Sequence, residues 1–239
     1  MRIIRLLVIT LFSLTLIGCS TTTIRSSKDY QSSFNGEKHA IVLPIEAKVY
    51  EVNASGNKKE LYDFEYNIEN VIAEQIIPVL NSKGLRAKLL TRKNIHDQSL
   101  FEFTNRIDDR FKEEEKSLYV KESISPKEAF DITSNIGDVA LVPASKNDSD
   151  IVILVSYARV IKSSGSQALG FAAAAMGYSS DPADIAKIEI AFIEAKTGKI
   201  LWINRVSKIH ASFFSSDNKV EENKIMKEFL TEVLKEFKK

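Results

Sequence analysis

The chain has 239 residues, of which 44% are hydrophobic and 27% are charged, so it is long enough for one well-packed domain but short for two. Its 33 basic and 32 acidic residues leave a net charge of +1, which excludes the strongly basic surface of a nucleic-acid-binding protein. A single cysteine excludes an intramolecular disulfide.

The N-terminus has the parts of a secretory signal. Arg2 and Arg5 precede a largely apolar stretch, Leu6 to Ile17, and small Gly18 comes directly before Cys19. The stretch covers roughly a dozen residues, whereas a helix needs about 20 to span a bilayer. We therefore expect residues 1–18 to be a cleaved signal peptide and not a permanent transmembrane anchor.

The end of this signal resembles the bacterial lipobox, since it reads Leu16-Ile17-Gly18-Cys19. The resemblance implies that Cys19 is lipidated on its thiol and acylated, for example with palmitate, on the new N-terminal amine. Two or more chains give lasting attachment, at about 0.8 kcal/mol per buried methylene. Ser20 follows, and by resemblance to enterobacterial sorting it favours the periplasmic face of the outer membrane over the inner membrane. An ordinary signal peptide with a chance cysteine is the alternative.

The segment after the cysteine is polar. From Ser20 to Lys38 it is rich in Ser and Thr and offers little apolar area to offset the entropy of ordering. We expect residues 19–38 to form a flexible tether, whose roughly 18 free residues reach about 25 Å on average, and residues 39–239 to form a periplasmic domain. The alternative is that Tyr30 and Phe34 hold part of the segment on the domain.

The first half of the domain alternates strand and helix patterns. Ala40 to Tyr50 is typical of a strand with an edge or bulge at Pro44. Asn53 to Lys59 is predicted to be a turn, and Leu85 to Leu90 a second strand. Between them lies a helix that Pro78 is expected to kink and Gly84 to end. Its apolar face comprises Phe64, Ile68, Val71, Ile72, Ile76, Val79 and Leu80.

The middle region has two helical patterns. Leu100, Phe103, Ile107 and Phe111 share one helical face, and the charged run Lys112–Lys116 that follows is predicted to be solvated. Ser125, with Pro126 after it, favours a second helix start, and that helix is expected to end near Gly137.

The second half predicts three strands and a helix. The strands are Asp150–Ile161, Ile185–Ala195 and Ile200–Ile209, and the last two are joined by a hairpin at Lys196–Lys199 in which Gly198 supplies a positive φ. The C-terminal helix has Asn218 and Glu221 at its start. Its apolar stripe comprises Met226, Phe229, Leu230, Val233, Leu234 and Phe237. The whole order predicts an α/β fold, a mixed sheet with helices packed on it.

The hairpin also carries a family resemblance. Glu194 to Trp202 reads Glu-Ala-Lys-Thr-Gly-Lys-Ile-Leu-Trp and is similar to the phrase D-x-x-T-G-x-I-x-W of periplasmic lipoproteins with a fold like the TolB N-terminal domain. These include CsgG-type curli-secretion lipoproteins and lipoprotein activators of penicillin-binding proteins. The structural interpretation of the phrase is a turn former at Thr197, a positive-φ residue at Gly198 and a packing aromatic at Trp202.

No residue pattern indicates catalysis. His39, His96 and His210 lie far apart without metal-ligand spacing, and the sequence has no nucleophile elbow or phosphate-binding glycine loop. The carboxylate pairs Asp108-Asp109 and Glu113–Glu115 belong to a charged helix. We therefore expect no catalytic residue, cofactor or metal, and a protein that is not an enzyme. A lipid-anchored hydrolase with an unrecognised site is an alternative.

The remaining feature is a run of small residues, Ala168–Tyr178, within the segment 165–178. It is interpreted either as a helix packed closely on the sheet or as a contact with a partner. The favoured functional hypothesis is a lipid-anchored periplasmic accessory protein that binds another, unidentified cell-envelope protein. The alternative is a homo-oligomer, a subunit of a CsgG-type secretion pore.

Overall fold

The structure is a computed structural model, and it describes residues 20–120, 129–163, 184–209 and 219–237. The predicted signal peptide 1–18 and Cys19 lie outside these residues, as do Ser125 and Pro126, the segment 165–178, His210 and Asn218.

Eight strands and six α-helices are present in the described part of the chain. The strands are β1 Ser20–Ser26, β2 Lys38–Val42, β3 Glu46–Val52, β4 Lys58–Glu60, β5 Leu85–Leu89, β6 Ile151–Lys162, β7 Asp184–Glu194 and β8 Ile200–Ile209. The helices are α1 Tyr30–Ser33, α2 Tyr62–Ser82, α3 Arg92–Asp97, α4 Phe101–Val120, α5 Leu141–Lys146 and α6 Lys219–Val233, with a 3₁₀ helix at Gly137–Ala140 before α5.

All eight strands belong to one mixed sheet. Its main order is β1-β8-β7-β6-β2-β5, while β3 follows β2 along the same side of β6 and carries β4 beyond it. The pairs β2–β5, β2–β6 and β3–β6 are parallel, and β6–β7, β7–β8, β8–β1 and β3–β4 are antiparallel. The predicted fold class, a mixed sheet with packed helices, is confirmed.

Helices cover both faces of the sheet. Successive side chains of a strand point to opposite faces, and in the central strands both sets of side chains are apolar. In β6, Ile151 and Ile153 belong to the core beneath α2 and α6, whereas Val152 belongs to the core beneath α3, α4 and α5. The apolar stripes predicted for α2 and α6 are buried in the first core, except for Phe64 at the start of α2, which is 41% exposed and corrects that part of the prediction. The protein is therefore a three-layer sandwich whose central sheet is buried on both sides.

The strand predicted from Ala40 to Tyr50 is interrupted where Pro44 indicated. Val42 pairs with Ile153 and Glu46 pairs with Ser156. The chain therefore takes four residue steps from Val42 to Glu46 where β6 takes three, which leaves one extra residue. Proline cannot donate to a ladder, and the extra residue makes the interruption equivalent to a bulge. The Leu43 amide still donates to the Ile153 carbonyl at 3.0 Å, so the pairing with β6 is interrupted only at Pro44 and Ile45.

The segment predicted to be a flexible tether is folded, and that prediction is corrected. Ser20 to Ser26 forms β1, whose register with β8 runs from Ser20 opposite Lys208 to Ser26 opposite Trp202. Polar composition did not prevent ordering, because the open edge of β8 satisfies the backbone groups of β1. The alternative drawn from Tyr30 and Phe34 describes the next stretch better, since Phe34 is only 1% exposed.

Three further boundaries differ from the sequence prediction. Lys58 and Lys59, the last two residues of the predicted turn, belong instead to strand β4, Lys58–Glu60. The helix expected to reach Gly137 has ended by Phe130, because the amides of Ile132 and Ile136 donate instead to the carbonyls of Ser26 and Gly198. At the C-terminus α6 ends at Val233, and Leu234 and Phe237 are buried in the turn that follows.

The hairpin residues act as the structural interpretation predicts. Gly198 has φ +73°, and a Cβ atom there would lie 1.7 Å from the carbonyl oxygen of Gly137, so only glycine fits. The Thr197 hydroxyl donates to Glu194 at 2.5 Å. Trp202 is 1% exposed and packs in an aromatic cluster with Phe34, Phe192 and Phe237.

We expect Phe34→Ala to lower the free energy of unfolding by about 3–5 kcal/mol, since it removes a ring held edge-on against Phe192 at 5.7 Å and Phe237 at 4.9 Å. Urea unfolding followed by the fluorescence of Trp202, the only tryptophan, measures this change. Phe130 is 55% exposed, so Phe130→Ala should change stability by no more than about 0.5 kcal/mol. Equal effects of the two substitutions would contradict the burial of residue 34.

Candidate functional site

The residues singled out from the sequence do not form one site. His39 lies in β2 and its Nδ1 is 3.2 Å from the carbonyl oxygen of Asp148, whereas His96 is exposed on α3. Among the residues the structure describes, no three His, Cys, Asp or Glu side chains are grouped to hold a metal ion. No helix within the same residues is long and apolar enough to cross a membrane.

The feature best suited to binding is a groove between α4 and the interrupted strand. Its volume is about 450 Å³, and it lies beside the connection between β2 and β3 that contains Pro44. Its floor is apolar, formed by Leu43 and Ile95, both nearly inaccessible to solvent. Phe101 stands at its mouth and is 70% exposed, an unusual position for a large apolar ring.

Local sequence fixes both walls of the groove. Thr91 and Asn94 form a reciprocal capping box at the start of α3: the Thr91 hydroxyl accepts from the Asn94 amide at 3.2 Å, and the Asn94 side chain accepts from the Thr91 amide at 3.0 Å. Helix α4 then packs on the sheet through buried Ile107 and Phe111, as its apolar face predicted. Its first residue, Phe101, is left facing solvent.

The rim of the groove carries charges of both signs. The Arg92 guanidinium lies 3.2 Å from a Glu69 oxygen, and the Lys112 ammonium lies 3.2 Å from Glu46 and 2.7 Å from Asp108. Exposed ion pairs of this kind contribute about 0–1 kcal/mol each, so a partner can replace them at little cost. An apolar floor with a mixed charged rim is the composition of a protein-binding surface.

At its inner end the groove borders a buried charge cluster. A smaller cavity of about 60 Å³ shares Pro44, Glu46, Asp108 and Leu154 with the groove and is also lined by Glu115 and Glu189. Arg205 Nε donates to a Glu189 oxygen at 2.8 Å, and its Nη2 donates to Glu115. The Arg205 guanidinium also stacks 3.8 Å from the centre of the Tyr119 ring.

This cluster joins α4 to the sheet and corrects the prediction that the whole run Lys112–Lys116 is solvated. Glu115 turns inward to Arg205, whose side chain is 21% exposed, while Glu189 is 3% exposed. The pairing of Glu189 with Arg205 could have been predicted from the sequence, because the hairpin at Thr197 and Gly198 places these two residues directly opposite each other in the antiparallel register. Opposite charges at facing positions predict a cross-strand pair.

The electrostatics of the cluster are asymmetric. Burial raises the pKa of the Glu189 carboxyl above its usual range, the nearby Glu115 carboxylate adds to that rise, and the Arg205 guanidinium opposes it. Burial likewise raises the pKa of the Tyr119 phenol. Two carboxylates share one guanidinium here, so the folded protein favours the protonated form of Glu189 more than the unfolded chain does.

No protein-family model matches the chain, and no curated protein sequence matches it either. Among solved structures, the chain is similar to the PelC dodecamer from Paraburkholderia phytofirmans, with a TM-score of 0.41, 10% identity and coverage of 90% of this chain and 95% of that one. It is also similar to lipoprotein GNA1162 from Neisseria meningitidis, with a TM-score of 0.34, 7% identity and coverage of 84% and 99%. Similarities at these TM-scores establish neither a shared fold nor a shared function, and the TolB-like and CsgG-like resemblance stays a prediction.

Replacing Glu189 tests the electrostatics of the cluster. Because the folded chain holds the Glu189 proton more tightly than the unfolded chain does, this residue makes the free energy of unfolding fall as pH rises from the usual carboxyl range through its raised pKa. Glu189→Gln imitates the protonated side chain and should remove that decline. Urea unfolding at a series of pH values measures both slopes.

Glu113→Gln is the matched control, since the Glu113 side chain is on the same helix as Glu115 but is 68% exposed. Its pH slope should equal that of the original protein. If the free energy of unfolding depended on pH in the same way for Glu189→Gln and the original protein, the raised pKa assigned to Glu189 would be contradicted.

Proposed function

We propose that the protein is a lipid-anchored, non-catalytic accessory protein of the bacterial cell envelope, held at the periplasmic face of the outer membrane, where it binds another envelope protein. The observation that carries the proposal is the lipobox ending at Cys19, directly followed by the first strand of the folded domain at Ser20. An acylated cysteine at that position fixes the domain to a bilayer and raises its local concentration there.

The groove beside α4 supplies the binding half of the proposal. Its volume of about 450 Å³, its apolar floor and the exposed Phe101 ring fit a side chain or short segment of a protein partner. Exposed aromatic rings over apolar pockets are frequent energetic centres of protein interfaces. The charged residues of the groove form ion pairs with neighbouring side chains, Arg92 with Glu69, and Glu46 and Asp108 with Lys112, which suits recognition better than proton transfer.

Cys19→Ser should abolish lipid attachment, because serine has no thiol to accept the diacylglyceryl group. We expect the variant to be lost from the membrane fraction or to retain its signal peptide. Membrane fractionation and mass spectrometry of the purified product measure both outcomes. Ser20→Ala, one residue further on, leaves the lipobox intact and should stay attached; a Cys19→Ser protein that fractionated unchanged would contradict the anchor.

A photo-crosslinking side chain in place of Phe101 should capture one envelope protein reproducibly, because that ring stands at the mouth of the groove. Tyr62 is the matched control: it is 67% exposed and lies on α2, on the opposite face of the sheet. Crosslinking in intact cells measures the difference. Capture of a second copy of the chain from position 101 would favour the homo-oligomeric pore, and equal products from both positions would contradict a role for the groove.

A further inference from the structure

No residue separates Cys19, the proposed lipidation site, from the first strand of the folded domain. Strand β1 begins at Ser20, the residue directly after Cys19 in the sequence, and consecutive Cα atoms are about 3.8 Å apart. Ser20 is held in register opposite Lys208, near the last residue of β8. The chain outside the described residues therefore ends at one defined corner of the sheet.

Several other strands also begin or end at this end of the sheet, which we call the anchor end. Ile185 near the start of β7 pairs with Ile209, Asp184 pairs with Ile161 in β6, and Val52 at the end of β3 pairs with both Lys162 and Lys58. The hairpin at Lys196–Lys199 lies at the opposite end of the strands, which we call the hairpin end. The ten residues of β8 separate the two ends by about 33 Å, at about 3.3 Å per residue.

The described side chains at the anchor end suit a lipid surface. Ile185 is 40% exposed, although most of the residues that follow it in β7 are buried. Lys58 and Lys59 of β4 are exposed at the same end. An apolar residue with lysines beside it matches the boundary between acyl chains and anionic headgroups.

Resting on the proposed lipidation of Cys19, we propose that the anchor end of the sheet sits directly on the bilayer surface, with β6, β7 and β8 running away from the membrane. The occupant of this surface is lipid. A domain on a long flexible tether turns freely, whereas here the acyl chains and the first paired residue are adjacent. The orientation is therefore set by the β1–β8 register.

The proposal fixes where the groove stands. Leu154, which lines the groove, is eight residues before Lys162 at the end of β6, so the groove lies about 26 Å from the bilayer surface along the strand. The groove therefore opens sideways into the periplasm, and a partner bound there would have to extend that far from the membrane.

The test uses the full acylated protein in vesicles of phosphatidylcholine and phosphatidylglycerol, part of the lipid carrying a nitroxide quencher near the headgroup. Cys19 is the only cysteine and its thiol carries lipid, so a fluorophore can be placed on one new cysteine. Ile185→Cys and Lys58→Cys report on the anchor end, and exposed Lys196→Cys reports on the hairpin end. We expect the two anchor-end labels to lose most of their fluorescence and the hairpin label to keep it.

A linker insertion supplies the matched control. About ten Gly and Ser residues placed after Ser20 add a mean reach of about 18 Å while keeping the lipobox intact. This insertion should abolish most of the quenching at residues 185 and 58. Unchanged quenching would overturn the claim that the short connection orients the domain.

Two failures are distinguishable by mass spectrometry of the same vesicle-bound sample. Acylated protein in which the anchor-end labels are not quenched, or are quenched no more than residue 196, overturns the orientation but leaves the anchor intact. Protein without acyl chains overturns both proposals.

Discussion

The first strand of the described chain, Ser20–Ser26, completes the sheet along the open edge of β8, and the whole account depends on that pairing. It turns the residues next to the lipobox from a free tether into part of the domain. Other contacts hold β1 in place: the Ile132 amide donates to the Ser26 carbonyl at 3.0 Å, and the Tyr119 hydroxyl donates to the Thr23 carbonyl at 3.4 Å. The proposed position of the domain relative to the bilayer depends on these bonds.

The same region couples the strand edge to the candidate binding site. Tyr119 stacks on Arg205, which pairs with Glu189 on the sheet and Glu115 on α4, and the other end of α4 presents Phe101 over the groove. A buried charge group is a poor source of net stability but strongly disfavours arrangements that leave one charge unpaired. We interpret the cluster as the element that fixes how α4 lies on the sheet, and with it the shape of the groove.

Much of the fold could be predicted from the sequence, because strands and helices with one apolar face have clear periods. The helix ended by Gly84, the strand interrupted at Pro44 and the hairpin with Gly198 are examples whose local chemistry decides the backbone. The ordering of Ser20–Ser26 could not be predicted, since a polar segment becomes a strand only when a partner edge is available. The helix expected to reach Gly137 ends early for the same reason. The amides of Ile132 and Ile136 bond to distant parts of the chain, and local sequence preferences do not predict such bonds.

The candidate site was harder to predict, because residues distant in sequence form it. Leu43, Ile95 and Phe101 come together only when β2 is in the sheet and α3 and α4 are packed on it. Glu189 and Arg205 could have been paired through the hairpin register, but the inward turn of Glu115 depends on how a separate helix packs. The proposed anchor at Cys19 is the opposite case: the lipobox that predicts it is a local sequence pattern, while the orientation proposed from it depends on the strand that follows.

Amide hydrogen exchange across β1 in the acylated protein tests the central claim most directly. The Ser27 amide donates to the Leu201 carbonyl, so antiparallel alternation turns the amides of Thr23 and Arg25 toward β8 and those of Thr22 and Ile24 outward. The account predicts slow exchange at Thr23 and Arg25 and fast exchange at Thr22 and Ile24. Exchange at unfolded-chain rates at all four amides would contradict it.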